Sequence, residues 1–262
     1  MPKIERHEPG TFCWPELSTG NGPDAKSFYT GLFGWESEDN SMGGQGIYTM
    51  LRLHGADVGA LTTMRPEEAA GGVPPHWSCY VSVESADETV TRAREHGGVV
   101  HAGPFDVMDA GRMAVLQDPA GAAFCVWQPN ISIGTAVAGE EGAPCWYENL
   151  SRDPAAAAAF YRKVFGWSTK QDPATSDYTE LYLEKQPVGG LMPIAAEWGP
   201  MPSSWVVYFQ VDDCDASAKK ARSLGGKIAK PPADIEEIGR FAVLTDPQGA
   251  AFSIIALKPG AR

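Results

Sequence analysis

The chain is written twice. FYTGLFGW at residues 28–35 returns as FYRKVFGW at 160–167, and Trp14 returns as Trp146, both displaced by 132 residues (160 − 28; 146 − 14). Further on, HWSCYVSVESADETVTRAREHGG aligns with SWVVYFQVDDCDASAKKARSLGG, and GRMAVLQDPAGAAF with GRFAVLTDPQGAAF. There the displacement is 128 (205 − 77; 246 − 118). Self-similarity of this length requires two copies of one fold. The change of displacement places a four-residue excess in the first half, between residues 36 and 76. The two units are expected at 8–130 and 142–259, joined by a Gly/Ala/Glu-rich linker at 131–141.

Each half divides again. In the first, strands are predicted at Phe12–Leu17, Ile47–Leu53 and Val58–Met64, with a helix at Pro23–Phe33. A second unit follows, with strands at Trp77–Val83, Val99–His101, Met113–Gln117 and Ala122–Trp127, and a helix at Ala86–His96. The helix assignments rest on apolar pairs four residues apart, Phe28/Leu32 and Tyr29/Phe33, repeated as Phe160/Val164 and Tyr161/Phe165. Asp153-Pro154 has the form of an N-cap followed by proline in the first turn. Gly34, Gly97, Gly166 and Gly225 stand where helices end in the left-handed conformation. The DPAG and DPQG turns join strands as hairpins. The pattern of each unit is βαβββ.

Composition narrows the class. The hydrophobic fraction of 43% suits a chain that buries a core, and a net charge of −12 disfavours nucleic acid or an anionic membrane as partner. No apolar run is long enough to cross a bilayer, and the polar opening MPKIERHEPG does not read as a secretory signal. Five cysteines without C-x-x-C spacing fit a reducing cytoplasm, which is the expected location.

A doubled βαβββ unit with an FYxxxFGW helix end, GG after the second helix and a DPxG hairpin resembles the vicinal oxygen chelate superfamily. This group includes glyoxalase I, extradiol dioxygenases and the bleomycin-resistance proteins. The resemblance covers almost the whole chain and implies an α+β architecture of tandem glyoxalase-like domains. Each would consist of two βαβββ units forming a cup-shaped mixed sheet with helices outside. In the family's enzymes, four strand positions supply His, Gln or Glu to a divalent metal. Carried onto this chain, those positions fall on Trp14, about Ala60, near Ser78 and Cys125, and on Trp146, about Gly190, near Val206 and Ser253. None is His or Glu, so no metal cofactor is expected; a two-residue slip in the first strand, which would bring in Glu16 and Glu148, leaves a divalent metal as the alternative.

Strand alternation then assigns the cup. Trp14 shares a face with Glu16, and Trp146 with Glu148; Tyr80 and Tyr208 face the same way, as do Cys125 and Trp127. Pairing across the hairpin is expected to bring Arg112 near Trp127 and Arg240 near Ile255. Cys13 and Cys145 alternate to the helix side. The candidate ligand-binding set is therefore Trp14, Glu16, Tyr80, Arg112, Cys125, Trp127, Trp146, Glu148, Tyr208 and Arg240. Aromatic walls with few polar groups describe a small-molecule site. The plainer reading makes the tryptophans core residues, the glutamates part of a satisfied Glu–Tyr network, and the arginines turn anchors. Of the histidines only His76, beside a strand of the cup, is well placed to contribute.

Three functions follow: a metal-free binder or sequesterer of an aromatic or cationic small molecule; a metal-dependent lyase or dioxygenase/hydroxylase-like enzyme; or a structural assembly unit. The chain is expected to be a monomer or homodimer.

Overall fold

The computed structural model describes residues 4–171 and 177–260. The first half runs β1 (Phe12–Thr19), α1 (Gly22–Phe33), β2 (Glu36–Ser41), β3 (Ile47–Leu53), β4 (Ala56–Thr63), α2 (Pro66–Ala70), β5 (His76–Ser82), α3 (Ala86–Glu95), β6 (Val99–Val107), β7 (Gly111–Gln117) and β8 (Ala123–Pro129). The second runs β9 (Pro144–Ser151), α4 (Pro154–Phe165), β10 (Ser168–Gln171), β11 (Thr179–Leu183), β12 (Gln186–Pro193), β13 (Ser204–Gln210), α5 (Cys214–Ser223), β14 (Lys227–Ile235), β15 (Gly239–Thr245) and β16 (Ala251–Leu257).

Each half closes into one eight-stranded mixed sheet. The order is β2-β3-β4-β1-β5-β8-β7-β6 in the first and β10-β11-β12-β9-β13-β16-β15-β14 in the second. The two βαβββ units of each half meet where β1 pairs antiparallel with β5 and β9 with β13. The strand missing from the sequence reading is β2, whose text ESEDNS is polar and whose residues are all exposed. It forms because the edge backbone of β3 offers a ladder, not because its side chains prefer burial. Its charges blunt the free edge.

The paired helices begin and end as their sequences require. Asn21 accepts a hydrogen bond from the Asp24 backbone at 3.2 Å, and Asp153 accepts from Ala156 at 2.9 Å, each followed by proline in the first turn. Gly34 and Gly166 close them at φ 72° and 77°, where a side chain would be strained.

These helices lie outside the cups but inside the molecule. The FY face of α1 reaches across to the other half: Phe28 meets Phe252 edge-on, and Phe33 contacts Phe209. Helix α4 reciprocates against Phe124. One continuous core joins both halves, with Phe12 stacked on Tyr147 at 4.2 Å between them.

Buried polar groups fasten this core in duplicate. The Tyr161 hydroxyl donates to Asp118 Oδ2 at 2.8 Å and accepts from Trp205 Nε1 at 2.7 Å. Its counterpart, Tyr29, donates to Asp246 Oδ2 at 3.2 Å and accepts from Trp77 Nε1 at 2.9 Å. Each aspartate also caps its own DPxG turn, receiving the Ala122 or Ala250 backbone N–H at 2.9 Å. The closing tryptophans of FGW tie down chain segments of the opposite half, Trp35 to the Gly142 carbonyl and Trp167 to that of Gly10. The twice-written FY…FGW and DPxG motifs are therefore the two sides of one interdomain lock.

Candidate ligand-binding cups

The face of each sheet opposite the shared core carries a second, smaller side-chain cluster. In β1, Leu17 enters the core while Trp14 joins Ala60, Tyr80 and Cys125 on the other face. Register explains the grouping, because Trp14 stands opposite Tyr80, Glu16 lies between Ala60 and Ser78, and Tyr80 is beside Cys125. In the second half Val206, Tyr208 and Ile255 form the floor, with Trp146, Phe241 and Leu257 around it.

Two corrections concern which way side chains point. The bulge between Phe12 and Trp14 sends Phe12 into the core and leaves Cys13 with the cup cluster, not on the helix side. Cys145 likewise packs beside the second cup. Both thiols donate to the tyrosine carbonyls across the strand, at 3.5 Å. Arg112 and Arg240 leave the cup altogether. The hairpin pairs Arg112 with Gln128 and Met113 with Trp127, one residue from the expected register, and so reverses the face. Arg112 binds Asp87 at the start of α3 in bidentate fashion, at 2.7 and 3.0 Å, and Asp106 at 2.9 Å. Arg240 pairs in the same way with Asp215 and Asp234, while Phe241 faces Ile255.

Each glutamate is held by phenols. In the first cup Tyr48 donates to Glu16 Oε2 at 2.8 Å and receives the Trp14 indole at 3.3 Å. In the second, Tyr208 donates to Glu148 Oε1 at 3.0 Å, and Trp146 donates to the Tyr178 hydroxyl at 2.8 Å. Tyr80 and Tyr178 complete the sets as further hydrogen-bond partners of Glu16 and Glu148. Tyr48 and Tyr178 were missed in the sequence, although IYTMLRL and DYTELYL repeat at a displacement of 130 (178 − 48). Tyr48 stands opposite Thr62 in one sheet, and Tyr178 lies over Gly190 in the other. A methyl group added to Gly190 would collide with the Tyr178 ring.

Burial dominates the electrostatics. Glu148, 8% exposed, is pushed up to about 7 by desolvation, which the hydrogen bonds from Tyr208 and Tyr178 and the charge of Lys230 only partly offset. Glu16 is raised for the same reason. Cys125 is pushed up to about 12 by burial and by the nearby Glu16, so it is a packed thiol and not a nucleophile.

The superfamily's enzymes imply a divalent metal here, and the donor set does not fit one. Among the described residues, no three His, Cys, Asp or Glu side chains converge. Each cup has one carboxyl at its floor, committed to phenol hydrogen bonds and biased towards its neutral form. A resident divalent ion needs several converging anionic or nitrogen donors. His76 is held by the Pro74 carbonyl at 2.9 Å. Trp127 closes one wall, its indole on the Ser132 carbonyl at 2.9 Å. Around the floor of the first cup Tyr48, Met50, Met113 and Trp127 are partly buried, each keeping some contact with solvent.

Comparison with known proteins agrees with this fold. Residues 12–126 match the model described as the glyoxalase/bleomycin resistance protein/dioxygenase superfamily, and residues 149–255 match a glyoxalase-like domain. The chain is 43% identical over 262 residues to "Putative glyoxylase CFP32" of Mycobacterium bovis, covering 99% of each. It is 35% identical to the "Anthracycline biosynthesis protein DnrV" of Streptomyces peucetius, covering 98% of this chain and 97% of the relative. A Mn(II)-bound glyoxalase from Novosphingobium aromaticivorans shares the fold with a TM-score of 0.66 at 15% identity, over 95% of this chain and 83% of that one. The chain belongs to the glyoxalase/bleomycin resistance/dioxygenase group, the vicinal oxygen chelate superfamily, as two tandem domains.

Proposed function

We propose that the cups bind a small planar organic molecule, without a resident metal, and that the protein sequesters or presents it. The observation that carries this reading is the Trp–Tyr–Glu–Tyr set written once in each cup, with its carboxyl committed to phenols in place of a metal. Indole and phenol faces supply stacking area, and one carboxyl fixes orientation. The relative named for anthracycline biosynthesis supports a fused-ring aromatic as ligand. A titration of intrinsic tryptophan fluorescence with an anthracycline tests it: saturable quenching, weakened by Trp14→Phe and Trp146→Phe, is expected. Quenching that never saturates would remove the proposal.

A second reading is an enzyme, which one observation favours. Glu148 titrates at about 7, where a general acid or base works best at neutral pH. The superfamily's lyases and dioxygenases are the model for this alternative, in which Glu148→Gln would abolish turnover while leaving binding in place.

A further inference from the structure

The cups share their Trp–Tyr–Glu–Tyr set but differ around it. Met50, opposite Ala60, is replaced in the second cup by Glu180, opposite Gly190. The facing pair Met113 and Trp127 becomes Phe241 and Ile255. The largest change is on the neighbouring strand, where Ala102 pairs with Val115 and its counterpart Lys230 pairs with Val243.

Lys230 places its ammonium 4.6 Å from the centre of the Phe241 ring, and its charge reaches Glu148 at the floor. Among the described residues it forms no ion pair. Glu180 accepts the Tyr182 hydroxyl at 2.7 Å and stands across the strand pair from Lys170. At the floor Ser253, 1% exposed, has its hydroxyl beside the Tyr208 phenol yet makes no hydrogen bond of ordinary geometry. The second cup thus offers an aromatic face and an ammonium over that face. The first offers thioethers and an indole, which adapt to apolar surface and carry no charge.

We propose that the cups divide ligands by charge: the first takes a neutral planar ring, and the second takes an aromatic carrying an anionic oxygen, which Lys230 pairs. Lys230 is exposed, so a carboxylate or phenolate seated on Phe241 would meet its ammonium at the open side of the cup, where the pair adds a modest increment to stacking on the ring. This rests on the cups being ligand sites, and the test separates the two claims.

The test is calorimetric titration of the full chain with 2-naphthoate and with 2-naphthol at pH 7. Lys230→Met is expected to weaken 2-naphthoate about threefold and leave 2-naphthol unchanged. Met50→Glu is expected to do the reverse, and Ala102→Lys to add a second naphthoate site. Naphthoate affinity that survives Lys230→Met overturns the division by charge while leaving the cups as sites. Absence of binding by both probes overturns the ligand-site reading and this inference with it.

Discussion

Replacing Glu148 by glutamine should flatten the protein's pH–stability curve. The native carboxyl is raised from 4.5 to about 7, chiefly by desolvation. The native state therefore binds more protons than the unfolded chain between pH 4.5 and about 7, and stability falls as pH rises across that window. At about 1.4 kcal/mol per pH unit, the loss on passing through it is about 3 kcal/mol. Glutamine is the same size, can still accept from Tyr208, and does not ionise. Relative to wild type, the variant should thus be weaker or equal below pH 4.5 and gain about 3 kcal/mol by pH 8. With a urea dependence of about 3 kcal/mol per molar, that gain moves the midpoint by about 1 M. Glu16, Asp118 and Asp246 are also raised, but they are common to both proteins and cancel in the difference. Urea unfolding monitored by tryptophan fluorescence at pH steps from 4.5 to 8 gives the comparison. Parallel curves for the two proteins would refute the reasoning, as would a wild-type advantage that grows with pH.

Other consequences are as specific. Tyr161→Phe leaves Asp118 Oδ2 and the Trp205 indole without their shared hydroxyl, and should cost about 2–3 kcal/mol; a double-mutant cycle with Asp118→Asn should show strong coupling between the halves. Arg112→Ala removes ion pairs to Asp87 and Asp106 and should leave ligand affinity unchanged; a large loss would return Arg112 to the cup. Cys125, buried and raised to about 12, should resist a thiol reagent at pH 8 until the protein is unfolded. Its rapid labelling would contradict the burial described.

The duplication made the architecture legible because the same apolar spacings and turn residues recur in order, and alternation correctly gathered Trp14, Glu16, Tyr80, Cys125 and Trp127. What escaped were features decided by partners distant in the chain or by a single-residue shift. ESEDNS forms a strand only because β3 pairs with it. The FY pair reads as a stripe for its own sheet, yet Tyr29 finds Asp246 217 residues away. One residue of hairpin register carried Arg112 to the helix side, and one bulge brought Cys13 to the cup. Tyr48 and Tyr178 were within reach, since their repeat is as clear as that of Trp14, and Tyr48 falls within the predicted strand Ile47–Leu53, but neither stands at a position of the family's ligand set.

The cups are proposed to hold an organic ligand without help from a metal. Calorimetric titration of an anthracycline into protein dialysed against chelator tests it most directly. Saturable binding is expected, with an affinity unchanged when Mn(II) is restored. Binding that vanishes on chelation and returns only with the metal would contradict it.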